Sequence, residues 1–359
     1  MSEILAPCGA MESLTAAVSA GADAVYLGEE YFSARKNADN FTAEQLCDAV
    51  RFCHYSGVKV YVTLNTLVFD REIPLLAKAI ENCAKADVDA FIVQDMGVAR
   101  LSRQIVPELP LHASTQMTVN SPEGAIMAKE LGFTRVVLGR ELSFAQIKAI
   151  TESCDIETEL FVHGALCVCI SGQCYMSSVL GGRSGNRGLC AQPCRLDFTS
   201  GDRHNVLSLK DLSLTEKLPE LAKAGITSFK IEGRMKRPEY VAGAVNACRV
   251  ALDGGTPDLI SLKNVFSRSG FTSGYFDDDF KNMQGVRTKD DVTSATSKVL
   301  SAMKQYYHKP FRRFPADITV NVKSGQPVCY KLSACGVSSS AVGDIPCLLY
   351  TSPSPRDRG

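Results

Sequence analysis

From the N-terminus to about residue 255, short apolar and β-branched runs alternate with stretches of 3.6-residue apolar periodicity. That alternation restricts the chain to an α/β fold built on a parallel sheet. The runs predict strands at Glu3–Ala6, Ala24–Leu27, Lys59–Thr63, Ala90–Gln94, Leu111–Ser114, Arg135–Leu138, Glu159–Val162 and Ser228–Glu232. Between them the periodicity predicts helices such as Ser13–Ala20, Glu44–Tyr55, Ile73–Lys85, Pro122–Leu131 and Phe144–Glu152. Gly21, Gly57, Gly132 and Gly225 each follow a helical run, where a residue able to take a left-handed conformation ends a helix. Eight such units, with no Gly-rich dinucleotide turn after the first strand, favour a closed TIM-like (β/α)8 barrel over a doubly wound sheet. A helix at Tyr240–Leu252 completes the barrel, and Asp253-Gly-Gly-Thr-Pro257 marks its boundary, so residues 1–255 are one domain.

The spacing breaks once, between the seventh strand and the last, where 65 residues separate Val162 from Ser228. The first part of this insertion, 164–196, follows the C-terminal end of a strand, the face on which barrels carry their active sites. It holds Cys167, Cys169, Cys174, Cys190 and Cys194, five of the fourteen cysteines within 28 residues. Gly172, Gly181, Gly182, Gly185 and Gly188 let the backbone wrap closely around a metal. Arg183, Arg187 and Arg195 lower thiol pKa values and offset thiolate charge, and Arg183 and Arg187 are also placed to bind substrate. Three readings stand: an iron–sulfur cluster, a structural zinc ion, or unligated thiols. Zinc sites pair their ligands at two-to-four-residue spacing, which Cys190/Cys194 approaches and Cys167/Cys174 does not. A radical-SAM motif is excluded, because Asp197 stands where its third cysteine would be.

Composition narrows the class. A chain of 359 residues, 45% hydrophobic and 22% charged, is an ordinary globular protein with material for two to three domains. The N-terminus has no basic segment leading into an apolar one, and no apolar run reaches the ~20 residues of a membrane span. Without an export signal the cysteines read as reduced thiols and ligands, and the compartment expected is the cytoplasm. Thirty-nine basic against 39 acidic residues exclude a wholesale polycation and leave RNA contacts to local patches. One such patch is the basic stretch Arg287–Arg313, an RNA footprint or, given Asp290 and Asp291, a solvated helix.

Residues 256–314 form a mixed extension with Gly270, Gly274 and Gly285 loops and a helix at Asp291–Tyr307. Residues 315–346 open a small β domain, with strands at Asp317–Val322 and Val328–Leu332. Residues 347–359 continue no periodicity and read as a non-native, out-of-frame end or a disordered tail.

Other polar residues sit at predicted strand ends. His112 is an acid/base or substrate contact, or a structural barrel histidine. His163 opens the cysteine loop, as a donor to a ligand or as packing. Glu232, Arg234 and Lys236 gather an anionic substrate or an RNA phosphate, or form an internal ion-pair network. His112, His163 and Glu232 are the catalytic candidates. Asn65, Gln94 and Asp95 line the same pocket by position. Protease signatures are missing: no His-Glu-x-x-His, no Gly-x-Ser-x-Gly, no aspartic dyad. Only Cys167 or Cys169 beside His163 offers a nucleophile.

The chain resembles the collagenase-like peptidases of family U32. The resemblance covers nearly the whole barrel. It rests on Glu159-Leu-Phe-Val-His163-Gly-Ala-Leu-Cys167, Ser171-Gly-Gln-Cys174, Gly181-Gly-Arg-Ser-Gly-Asn-Arg-Gly188 and Phe229-Lys-Ile-Glu-Gly-Arg-Met-Lys236 with Pro238-Glu-Tyr240, joined by Leu5-Ala-Pro-Cys-Gly9 and Ala20-Gly-Ala-Asp-Ala-Val-Tyr26. Members of the family hydroxylate a pyrimidine of ribosomal or transfer RNA, or take part in anaerobic ubiquinone hydroxylation. The resemblance implies a 4Fe-4S cluster on Cys167, Cys174, Cys190 and Cys194, hydroxylation without oxygen, and in the RNA branch prephenate as a co-substrate. It also implies RNA, a small-molecule donor and an electron-donor protein as partners. The β segment from Pro315 looks like the longer ribosomal-RNA branch. A peptidase and a non-catalytic scaffold for another modification enzyme are the rival readings.

Overall fold

A computed structural model describes residues 2–35, 38–308, 316–334 and 337–343. The chain divides into two compact units, Met1–Phe311 and Arg312–Gly359. In the first, β1 (Glu3–Pro7), β2 (Ala24–Gly28), β3 (Lys59–Leu64), β4 (Ala90–Val93), β5 (Leu111–Ala113), β6 (Arg135–Val137) and β7 (Glu157–Ala165) pair in sequence order, all parallel. After them come β8 (Asp211–Ser213) and β9 (Ser228–Ile231). Strand β9 pairs in parallel with both β1 and β7 and closes the ring of eight. The strand boundaries follow the sequence reading to within a residue or two, except that β7 runs three residues further at its C-terminal end.

Helices α1 (Met11–Ser19), α2 (Ala43–Tyr55), α3 (Ile73–Lys85), α4 (Met96–Ile105), α5 (Pro122–Glu130) and α6 (Phe144–Ser153) fill the crossovers. Their starts are chemically marked: Thr42 with Gln45, and Ser143 with Gln146, form reciprocal capping boxes. The Asp95 carboxylate caps α4 by accepting from Gly97 N and Val98 N, and its other oxygen accepts from Val68 N at 3.1 Å. Asp95 is therefore a structural cap and does not face the pocket.

Strand parity divides the apolar residues into two cores. Outward side chains such as Ile4, Val25, Leu27, Val60, Val62, Phe91 and Val93 meet the helices in one large cluster. Inward ones, Leu5, Ala24, Tyr26, Tyr61, Ala90 and Ile92, fill the barrel. Below them lies a buried charge layer. Glu159, fully buried, accepts from Lys230 Nζ at 2.7 Å and Arg135 Nη1 at 3.2 Å, and Arg135 also reaches Glu3 at 2.7 Å and Glu157 at 2.8 Å. Burial alone would raise the Glu159 carboxyl; Lys230 and Arg135 reverse that and hold it low.

The insertion carries α7 (Met176–Gly181), then β8, which runs antiparallel to the end of β7 with His163 opposite Ser213, then α8 (Leu218–Lys223). Helix α9 (Pro238–Leu252) completes the barrel. Beyond it, α10 (Leu259–Val265) leads to β10 (Phe271–Thr272), which extends the sheet beside β8. The helix expected over Asp291–Tyr307 is two, α11 (Lys289–Thr293) and α12 (Ser297–His308). Ser294 breaks it by turning its hydroxyl onto Asp291 O and Asn264 O. Met303 of α12 is buried, and α12 packs on α1 and α9.

In the second unit β11 (Ala316–Asn321), β12 (Cys329–Ala334) and β13 (Val337–Val342) form an antiparallel meander, with Ala316 opposite Ala334 and Cys329 opposite Val342. Two of these strands match the sequence reading and the third extends it. Residues 347–359 lie outside the described residues, as do residues 309–313 of the basic stretch. Among the described residues no helix is long and apolar enough to cross a membrane.

Candidate functional site

The C-terminal mouth of the barrel carries one carboxylate among three arginines. Glu232 follows β9 directly, its N–H donating to His163 O at 2.8 Å, and its Oε1 accepts from Arg35 Nη2 at 2.9 Å. Burial would raise this carboxyl, but Arg35, Arg140 and Arg234 together lower it to about 2. Glu232 is thus fixed as an anion at neutral pH, able to orient a cation or accept a hydrogen bond and unable to donate a proton. Arg234 is buried and donates to Ser33 Oγ at 2.5 Å and Thr63 Oγ1 at 2.9 Å, 5.8 Å from the Tyr26 ring centre. Burial pulls its guanidinium down to about 10, still protonated.

Side-chain contacts fasten the cysteine insertion over this mouth. Ser171 bonds through its N–H and hydroxyl to the Glu141 carboxylate, and its carbonyl accepts from Thr118 Oγ1 at 2.8 Å. Gly172 has φ +81°, and a Cβ there would stand 2.5 Å from Gln116 Cα, so no side chain fits. Arg195 crosses the insertion's root, donating to Leu209 O and Leu166 O, both at 2.6 Å, and to Ser208 Oγ. Gln94 Nε2 reaches Asn186 O at 3.3 Å.

Four of the thiols are neighbours. Cys194 is raised by burial first; Arg195 opposes this, and Cys167, Cys190 and Cys174 add to it. Cys169 is raised by burial, then by Cys174 and Cys167. Arg140 donates to Cys167 Sγ at 3.6 Å and to Ala165 O at 3.0 Å. Soft sulfur donors under guanidinium groups suit a thiolate-held metal group. Among the described residues no three His, Cys, Asp or Glu side chains are spaced to hold a single ion. A four-iron group, whose ligands sit on different irons, does not require that spacing.

The remaining expected site residues divide. Glu232, Arg234, Gln94 and the four cysteines come together at the mouth. Arg187 lies there too, but it is clamped: it grips Glu72 with two bonds of 2.6 and 2.9 Å and donates to Leu67 O at 2.6 Å. That contact pins the insertion to the segment after β3 and commits three of the guanidinium's N–H donors to the fold, leaving its Nε–Nη2 edge for any substrate. Asn65 accepts from Ala34 N at 3.0 Å and shapes the loop that carries Arg35. Arg183 is exposed and donates to Leu189 O within the insertion. Lys236 stands aside, 2.9 Å from the Phe266 ring centre.

Two histidines do not face the mouth. His112 is mid-strand in β5 and lines a cavity of about 260 Å³ with Lys59, Tyr61, Thr134, Arg135 and Glu157, residues at or near the N-terminal strand ends. Burial and Arg135 depress its imidazole to about 3, so it is neutral and at the opposite end from the cysteines. His163 is buried behind a register shift between Phe161 and His163, its ring 5.0 Å from Phe271 and 5.8 Å from Tyr240 and its Nδ1 3.4 Å from Ser213 Oγ. Burial lowers it to about 4, and no thiol contributes to that shift. Its environment is that of a packing residue. Arg35, Arg140 and Glu141 escaped the sequence reading. Arg140 and Glu141 follow β6 by only three and four positions, the place where a barrel presents working side chains.

Residues 9–284 match the family model described as "Peptidase family U32". The 23S rRNA 5-hydroxycytidine C2501 synthase of Escherichia coli is 43% identical over 284 residues, which cover 76% of this chain and 42% of that protein. The tRNA hydroxylation protein P1 of Bacillus subtilis is 38% identical over 270 residues, 71% of this chain and 64% of that one. A protein named collagenase from Porphyromonas gingivalis is 36% identical over 306 residues, 76% of this chain and 73% of that one. The chain thus spans less than two thirds of the first two relatives, and across its barrel and cysteine insertion it belongs to peptidase family U32.

Proposed function

We propose that this chain carries out, or forms the catalytic part of a protein that carries out, oxygen-independent hydroxylation of a pyrimidine in ribosomal or transfer RNA. The observation that carries this reading is the thiol quartet beside Arg140 and Arg195 at the barrel mouth, in a chain 43% identical to an rRNA 5-hydroxycytidine synthase. In this reading Cys167, Cys174, Cys190 and Cys194 hold a 4Fe-4S cluster, and Cys169 is a spare thiol. When bound, such a cluster supplies electron transfer or a Lewis-acidic iron. Arg35, Arg140 and Arg234, gathered around Glu232, attract an anionic group: an RNA phosphate, or the carboxylates of a small donor such as prephenate. Glu232 keeps Arg35 in place by its 2.9 Å ion pair. A base reaching this recess leaves its stack first, as modification of a paired base requires. An electron-donor protein and a cytoplasmic setting complete the proposal.

Peptide hydrolysis draws support from the family name and from the collagenase-named relative. Against it, His163 packs edge-on against Phe271 and tilted against Tyr240, and its Nδ1 faces Ser213 Oγ rather than a thiol, so no Cys–His nucleophile forms among the described residues. A scaffold role for another enzyme predicts neither cluster nor turnover. Anaerobic purification with iron and sulfide analysis separates these readings: a colourless, iron-free protein that cleaves peptides ends the hydroxylase proposal. RNA mass spectrometry of a strain lacking the gene then tests the substrate, and unchanged hydroxycytidine and hydroxyuridine would remove RNA.

A further inference from the structure

Beside the mouth, three cations share one aromatic ring. Lys236 Nζ stands 2.9 Å from the centre of Phe266, with the Arg287 guanidinium carbon at 4.4 Å and that of Arg268 at 5.3 Å. Two acids act on Lys236: Glu232 and, more strongly, Asp211. Asp211 pairs with Arg268 through Oδ1, while Oδ2 is buried with no hydrogen-bond partner. Among the described residues Lys236 and Arg287 make no ion pair, so the group carries excess positive charge over an apolar floor. Cation–π contact holds each charge in place but does not neutralise it. Burial first, then the neighbouring Arg268, lowers the Lys236 ammonium to about 7, a sign of how poorly its charge is compensated.

We infer that Lys236, Arg268 and Arg287 form an oxyanion-binding notch over Phe266, one that accepts a phosphate or carboxylate group. A guanidinium presents paired N–H donors to two oxygens of such a group, and an ammonium adds a third charge-assisted bond. The notch lies beside the Arg35–Glu232 pair, whose carboxylate acts on Lys236, and its occupancy is measurable without cluster or turnover. It therefore stands or falls independently of the hydroxylation proposal.

The test uses the whole chain and two substitutions, Lys236→Met and Arg287→Met; Arg287 is exposed, so its replacement leaves folding intact, as circular dichroism would verify. Titration calorimetry reads inorganic phosphate and malonate, and fluorescence anisotropy reads a short single-stranded RNA across a salt series. Each substitution weakens the favoured probe about ten-fold, the effect of one lost charge-assisted contact. If the natural anion is an RNA phosphodiester, the slope of log affinity against log salt falls by about 1 per substitution. If it is a small carboxylate, malonate binding falls and the RNA slope is unchanged. Affinity for all three probes unchanged in folded Arg287→Met and Lys236→Met overturns the inference.

Discussion

Replacing Glu232 with Gln tests the electrostatics of the mouth directly. The carboxyl titrates near 4.5 in ordinary surroundings and at about 2 in the fold, because Arg35, Arg140 and Arg234 outweigh its burial. With its side chain 15% exposed, little solvent screening needs to be discounted. At about 1.4 kcal/mol per pH unit, the difference contributes roughly 3 kcal/mol to stability. The sign follows from the lowered value. As pH falls, the unfolded chain takes up this proton first, so the contribution is complete above about pH 4.5 and is lost progressively toward pH 2. Glu232→Gln removes it, and also leaves Arg35 without its charge partner, a cost that does not vary with pH. Urea unfolding of the two proteins at neutral pH and at about pH 3.5 should therefore show a stability gap that narrows by about 1.4 kcal/mol at the lower pH. An equal gap at both would refute the claim that three arginines hold this carboxylate ionised.

Cys194→Ser should abolish bound iron and sulfide after anaerobic purification, whereas Cys169→Ser should keep both; equal loss would mean that Cys169 is a ligand. Gly172→Ala should unseat the insertion, since its Cβ would meet Gln116 Cα at 2.5 Å, and limited proteolysis should then cut within 164–196 faster than in the parent chain. Lys230→Met leaves fully buried Glu159 with Arg135 alone at 3.2 Å, and should cost about 3–5 kcal/mol in denaturant unfolding; a loss under 1 kcal/mol would mean that Glu159 takes up a proton instead.

The strands were legible because buried parallel strands are near-continuous apolar runs, and the glycines after helices fixed where each run begins. The insertion was legible because its spacing broke that rhythm. What a linear reading misses is height within the barrel. His112 is only the second residue of the run Leu111–Ser114, and the stagger of β5 sets it level with Arg135, the first residue of β6, so that its side chain meets Tyr61 at 4.8 Å near the N-terminal end. Stagger is a property of all eight strands together. His163 stays between its two readings in the sequence for a different reason: the irregular register before it turns the ring toward Phe271 and Tyr240, and such shifts leave no periodic trace. Arg35 and Arg140 were overlooked because an arginine in a loop has no signature of its own. Both are recognised by proximity, Arg35 to Glu232 and Arg140 to Cys167.

Charge is divided along the barrel axis in a way that accounts for which end carries chemistry. In the lower layer Glu3, Glu157 and Glu159 outnumber Arg135 and Lys230, and each of these charges has a partner within 3.2 Å. In the upper layer Arg35, Arg140 and Arg234 outnumber Glu232. Tyr26 lies between them, its ring 4.5 Å from Lys230 Nζ below and 5.8 Å from the Arg234 guanidinium above. The lower layer is thus satisfied from within and serves to hold the strands together. In the upper one the arginines also meet the thiols of the insertion: Arg140 touches Cys167, and the same thiol acts on Arg35. A cluster of thiolates and an incoming anion would both be drawn to the same end, and the packing that gives that end its charge also excludes it from the other.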